Sequence, residues 1–273
     1  MGLSVWAGLT AAMGCAAAGT CASLLKARGA AASAHIDMAR PIRSGRLLLR
    51  NRVFVYGLLL ATVSVACNAT ALSLAPLTLV KPVAASGLVL MAVIGGRILG
   101  IKVDSRQRWG LALVAAGLIA VAITAQPGSS DGHGPSLLMF ELCALGLGAL
   151  LVAWHRIRGG QLCLALATGL LVGAGDGLLK HLPHSALALA VPGVLLLALM
   201  AGAGIILGAK AVQGNSPLAV LAVMAAAANF SSLVGGFTVF GENLPGTALG
   251  LVVYFAAWIA IIGASLLIPR VQP

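Results

Sequence analysis

Residues 54–97 hold two apolar runs, FVYGLLLATVSVACNATALSL and PLTLVKPVAASGLVLMAVIGGR, joined at Ala75-Pro76. A helix rises about 1.5 Å per residue, so about 20 residues cross the roughly 30 Å hydrocarbon core of a bilayer. Proline is suited to the first turn of a helix, where its missing N–H has no partner to lose, so Pro76 opens the second run without breaking it. The stretch therefore predicts a helical hairpin that crosses a membrane and returns. Lys81 and Asn68 lie inside it and are expensive in hydrocarbon, so they are expected to face other helices or a wet cavity.

The rest of the chain follows the same rule. Its 273 residues are 60% hydrophobic and 8% charged, where a soluble domain carries about 25% charge. This excludes a soluble domain of any size and predicts an all-α, polytopic membrane protein. The 35 glycines suit helices that approach closely through small residues. The net charge of +11 does not call for a nucleic acid, because the cations cluster beside apolar runs, where the positive-inside rule puts them. Cys15, Cys21, Cys67, Cys143 and Cys163 all sit in apolar runs without a CxxC pair and read as small buried hydrophobes. Lys26 and Arg28 follow the first apolar run rather than precede it, the reverse of a cleavable signal.

Nine spans are expected, near 3–25, 53–73, 76–97, 109–125, 137–154, 161–179, 188–210, 217–240 and 246–268. The loop at 26–52 carries seven Lys and Arg; within it Arg43, Arg46 and Arg50 fall at i, i+3 and i+7, which suits a surface helix. Trp109 is placed as an interfacial anchor. QPGSSDGHGPS at 126–136 reads as the linker between a first half (1–125, four spans) and a second half (137–273, five spans). Most Lys and Arg fall in alternate loops and at the C-terminus. This predicts a multi-pass protein of the cell membrane with its N-terminus outside and its C-terminus in the cytoplasm.

The halves also resemble one another. SLAPLTLVKPVAAS (73–86) aligns with GNSPLAVLAVMAAA (214–227), matching Pro76 to Pro217 and Leu77 to Leu218; the same displacement matches Gly95 to Gly236 and Gly100 to Gly241. SLLKA (23–27) aligns with GLLKH (177–181). On the expected topology, matched spans run in opposite directions. Inverted repeats around a midplane site are a mark of secondary transporters.

At NATALSLAPLTLVKPV (68–83) the chain resembles the drug/metabolite transporter (EamA-like) superfamily, and most nearly its NIPA-like branch, whose pattern runs Asn-Phe-x-x-Tyr-x-Phe-Ala-Pro-Ala-x-Leu-Val-Thr-Pro-Leu. Asn68, Ala75, Pro76, Leu79, Val80 and Pro82 match. The superfamily's Leu-Gly-Glu ending is matched in part by FGEN (240–243) and degraded to LGIK (99–102). The resemblance implies a nine-span fold and, for that branch, magnesium transport. Two departures argue against magnesium here: the branch's Glu is replaced by Val65, and its Thr by Lys81. A hard dication wants carboxylate and other oxygen ligands, not a nearby ammonium.

Asp176 lies deep in a span, in VGAGDGLLK. It reads as a proton or amine contact, or as a structural ion pair with Lys180 one turn on. Lys81 reads as a cavity residue or one that snorkels to the interface. Asn68 and Asn229 read as cavity residues or interhelical hydrogen-bond partners. Glu141, near the start of a span, reads as interfacial or interior, and Lys210 as a topology charge. His181 and His184 have no third ligand beside them, so no metal site is expected. HExxH, GxSxG and Walker A motifs are missing, so neither an enzyme nor a cofactor is expected.

The sequence thus predicts a secondary transporter of a small organic solute, with Asn68, Lys81, Asp176 and Asn229 as substrate-binding residues. Lipid is its surround, nucleic acid is not a partner, and small-residue faces permit a homodimer. The alternatives are a magnesium transporter and a non-transporting membrane scaffold or subunit.

Overall fold

A computed structural model describes residues 3–74, 80, 83, 87–99, 105, 109, 112–113, 116, 134–181, 187–214, 216–240, 248, 250–253 and 256. The described residues form helices without strands: α1 (Leu3–Ala31), α2 (Pro41–Arg50), α3 (Arg52–Leu74), α4 (Gly87–Leu99), α5 (Gly134–Arg158), α6 (Gln161–His181), α7 (Leu187–Gln213) and α8 (Pro217–Phe240). Six of them, α1, α3, α5, α6, α7 and α8, are long and apolar enough to cross a membrane. The expected spans four and nine, and the N-terminal part of span three, lie mainly outside the described residues.

The helix ends have local causes. Asn51 caps α3, its side-chain oxygen accepting from the N–H groups of Val53 (3.0 Å) and Phe54 (3.3 Å), while its amide donates to Gly29 O (3.0 Å). α5 and α6 are joined by Gly159 and Gly160 alone, with φ of 81° and 83°, a left-handed conformation that glycine adopts without a steric cost. α2 begins on Pro41 with its φ preset, and the Ser44 hydroxyl ties it back to Asp37 O (2.8 Å). This is the surface helix that the arginine spacing indicated.

Two boundaries differ from the sequence reading. α1 runs to Ala31 rather than stopping at 25, because LLKARGAA contains good helix formers and no breaker; Lys26 is therefore inside a helix. The linker is shorter than 126–136, because α5 begins at Gly134 and takes Pro135 into its first turn.

Directions follow from contacts. Along α1 and α3, a Cβ added at Gly29 would meet Phe54, one at Gly57 the backbone of Lys26, one at Gly19 the Ser64 side chain, and one at Gly14 the thiol of Cys67. The pair is antiparallel. Gly87 meets Ala16 and Thr20, and Gly95 meets Leu24, so α4 is parallel to α1. Gln213, at the end of α7, donates to Ala30 O (3.0 Å) and Ala34 O (3.0 Å) and accepts from Ile36 N (2.9 Å), which levels the C-terminal ends of α1 and α7. Gly148 meets Leu171, and Gly177 meets Glu141 and Leu137, so α5 is antiparallel to α6; Gly204 meets Thr168 and Val172 while Gly175 meets Leu197, so α7 is too. α8 is parallel to α6, since Gly169 meets Met224 and Gly173 meets Ala228 and Ser231. Thus α1, α4, α5 and α7 run one way, and α3, α6 and α8 the other.

α6 is the axis of the bundle. In its most apolar 18-residue stretch 67% of the residues are buried, against 17% for α3 and α7. The outer helices turn Leu59, Val63, Leu142, Leu150, Val194, Leu195 and Leu199 outward. In water this would be a liability; in a bilayer it is a lipid-facing surface. Arg28, Arg40, Arg43, Arg46, Arg50, Arg52, Arg156, Arg158 and Lys210 all belong to one end of the bundle. Lys180 and His181 end α6 at the other.

Candidate functional site

The glycines of VGAGDGLLK each admit a different neighbour. Gly173 faces α8, where a Cβ would collide with the carbonyl oxygen of Ala228; Gly175 faces Leu197 of α7; Gly177 faces Glu141 and Leu137 of α5. Without side chains at these positions three helices close on one turn of α6, and Asp176 is caught between them. It is 8% exposed.

Its carboxylate takes hydrogen bonds from two further helices. Asn68 of α3 donates from Nδ2 to Oδ1 (2.8 Å), and Ser232 of α8 donates from Oγ to Oδ2 (2.7 Å). Both bonds are charge-assisted and short. Ser232 Oγ also lies 2.9 Å from Ala228 O and 3.1 Å from Gly173 O; with a single proton to give, the charged acceptor is preferred. Asn68 is 9% exposed and Ser232 1%. The Asn68 bond crosses 108 residues of sequence and joins the first half of the chain to the second.

Glu141 of α5 is the second carboxylate. It is 1% exposed, and its Oε1 is 3.6 Å from where a Cβ of Gly177 would stand. Gly177, against which it packs, is the residue next to Asp176 in α6. Neither of its oxygens has a hydrogen-bond partner among the described residues, and neither does Asn68 Oδ1. Glu141 is thus turned into the bundle, one turn inside the apolar stretch that begins at Leu137.

The structure therefore brings together two of the four residues expected at the site, Asn68 and Asp176. Asn229 is half-buried and donates to Ala225 O of its own helix (2.9 Å). Lys81 lies outside the described residues. Ser232 and Glu141 were not singled out as site residues. The Ser231-Ser232 pair in an otherwise apolar span is the available signal for the first; nothing local marks Glu141, which is buried by packing against α6 beside Gly177. At the end of α6, Lys180 Nζ lies over the Phe240 ring, 4.3 Å from its centroid, a cation–π contact between α6 and α8.

No family model, curated protein or solved structure matches the chain. The site has to be read from its own chemistry. Among the described residues no group of three or more His, Cys, Asp or Glu converges. What does converge among the described residues is a carboxylate that accepts from Asn68 and Ser232, a carboxylate without a donor, and an amide oxygen left open, within an apolar bundle.

Proposed function

We propose that the chain is a secondary transporter that moves a small organic solute by alternating access, with Asn68 and Asp176 in its solute path. The observation that carries this reading is the Asn68–Asp176–Ser232 cluster. A scaffold gains little from a buried carboxylate, because replacing a buried charged group by apolar packing is often neutral or stabilising. The cluster also sits where helices from the two sequence halves meet.

The helix directions support an inverted repeat. α1 matches α6, α3 matches α7 and α4 matches α8 in the sequence alignment, and each pair runs in opposite directions. The closest approaches correspond as well. Gly87 of α4 lies against Ala16 and Thr20 of α1, with the Thr20 hydroxyl donating to Gly87 O (2.8 Å). The alignment carries these positions to Ala228 of α8 and to Leu170 and Ala174 of α6; Ala228 lies against Gly169 and Gly173, each one residue before the carried position. The basic end of the bundle, on the positive-inside rule, is the cytoplasmic one. In this arrangement the cluster is closed to solvent, as a site between two half-bundles is at the midpoint of its cycle.

The test begins with a thermal-shift screen of the purified protein against a metabolite panel, followed by flux of the stabilising solutes into proteoliposomes. Saturable flux that falls at least tenfold in D176N and in N68A is expected. Flux unchanged by both substitutions removes the cluster from the path, and an absence of flux for every stabilising solute removes the reading. Magnesium remains the second reading, because Glu141 and Asp176 place two carboxylates together; rescue of a magnesium-dependent strain would favour it.

A further inference from the structure

We propose that Glu141 is a proton-binding site, protonated while the cluster is closed. This rests on the transport reading only for its consequence, that the proton would be the coupling ion; the site itself is argued from the geometry.

The donors around the two carboxylates are enough for one of them. Asn68 Nδ2 and Ser232 Oγ both go to Asp176, and both oxygens of Glu141 are left without a donor at 1% exposure. An ionised carboxylate enclosed in apolar surroundings with no hydrogen bond is strongly disfavoured, and so is a second anion beside Asp176. A bound proton removes both penalties. Two like groups whose surroundings differ in this way divide the roles between them: the hydrogen bonds go to Asp176 and the proton to Glu141.

Among the described residues, the titratable groups on the elements packed against α5 are few. α6 brings Asp176 and, one turn further, Lys180. α8 contains no titratable residue along its length and meets α5 through Gly235 and the Phe140 ring. On α5 itself the nearest titratable group, Cys143, is exposed, two residues away and therefore on a different face. When the cluster opens, Glu141 gives its proton to water and is left as a carboxylate able to accept from a solute or from water. Taking a proton back restores the closed state. One proton leaves and one returns, and no electrons move.

The test is infrared spectroscopy of the full-length protein in lipid vesicles, titrated with acid and base, following the C=O stretch of protonated carboxylic acids. The wild type is expected to show this band near neutral pH, to lose it at alkaline pH and to shift it in D2O. E141Q is expected to lose the neutral-pH band, E141D to keep it at a shifted frequency, and D176N to keep it. A wild type without the band overturns the proposal, as does a band that survives in E141Q. Loss in both E141Q and D176N means a proton shared between the carboxylates, and also overturns it. Sodium or magnesium chloride added at constant pH is expected to leave the band unchanged; displacement by either salt makes this a cation site instead. None of these readouts requires a transported solute, so the failure of the transport reading would be seen separately.

Discussion

The α1–α3 and α6–α8 seams are built by the same device and hold different contents. Both bring helices together over glycines: Gly29 and Gly57 in the first, Gly169 and Gly173 in the second. The hydrogen bonds of the first seam are neutral, such as the Ser64 hydroxyl on Cys15 O (3.1 Å), and its cation, Lys26, lies near the basic end with its stem against Gly57. The second seam holds Asp176 and is capped by Ser232. Its central helix is mostly buried, while α3 is mostly turned to lipid. Close packing thus does not mark the functional seam. The mark is a charge that the packing was arranged to surround.

The comparison breaks most visibly through the shared device. Gly173→Leu and Gly57→Leu both drive a side chain into backbone, the Ala228 carbonyl in one case and the Lys26 amide in the other. Overpacking costs about 1–3 kcal/mol even where neighbours can move, and here they cannot. Neither variant is expected to give a monodisperse protein on size-exclusion chromatography. Gly146→Leu, with nothing within 4 Å of its Cβ, is expected to behave as the wild type.

The contents separate the seams next. Asp176→Leu strands Asn68 Nδ2 and takes the charged acceptor from Ser232 Oγ, which is left with Ala228 O or Gly173 O; a buried group left without its partner costs about 1–3 kcal/mol. A loss of about 2–3 kcal/mol is expected in reversible denaturation from micelles, with D176N losing less because an amide can still accept one of the bonds. A loss in D176N as large as in Asp176→Leu would mean that the charge, not the hydrogen bonding, holds the cluster.

The Asn68–Asp176 bond alone is smaller again. A double-mutant cycle of N68A with D176A is expected to give a coupling of about 0.6–1.7 kcal/mol, the range of interhelical hydrogen bonds in membranes. A coupling near zero would leave the two halves joined by packing and by the Gln213 bonds at the basic end.

How much of this was legible in the sequence depends on whether the cause was local. Span eight runs from Pro217 to Phe240 as read, because a proline opens it and the apolar run ends with it. Asp176 was legible because a carboxylate in an apolar run is costly wherever it points. Its partners were not: Asn68 lies 108 residues away, and whether it turns toward α6 or toward lipid depends on how α3 rotates against α1. The end of α1 is not legible from its charges, because Lys26 and Arg28 suit a loop beside a span as well as a helix end. A cation in the last turns of a helix also suits its C-terminal dipole, and the helix simply continues past it. Glu141 was the least legible, since its burial depends on how α5 turns against α6, where it packs by Gly177.

The smallest effect discriminates most finely between the seams. A Cβ at Gly19 would stand 2.8 Å from Ser64 Oγ but 3.8 Å from its Cβ. The obstacle is therefore the end of a side chain that can turn away, at the loss of its bond to Cys15 O. Gly19→Ala is expected to shift stability by no more than about 0.5 kcal/mol, a lost interhelical bond being offset by alanine's better helix propensity. Adding Ser64→Ala removes the obstacle, so the double variant is expected to be at least as stable as Ser64→Ala alone. Gly173→Ala admits no such rescue, because what it meets is the Ala228 carbonyl oxygen, which no substitution at position 228 removes. If Ser232→Ala did rescue Gly173→Ala, the α6–α8 seam would be yielding through its hydroxyl in the same way, and the two seams would not differ in rigidity.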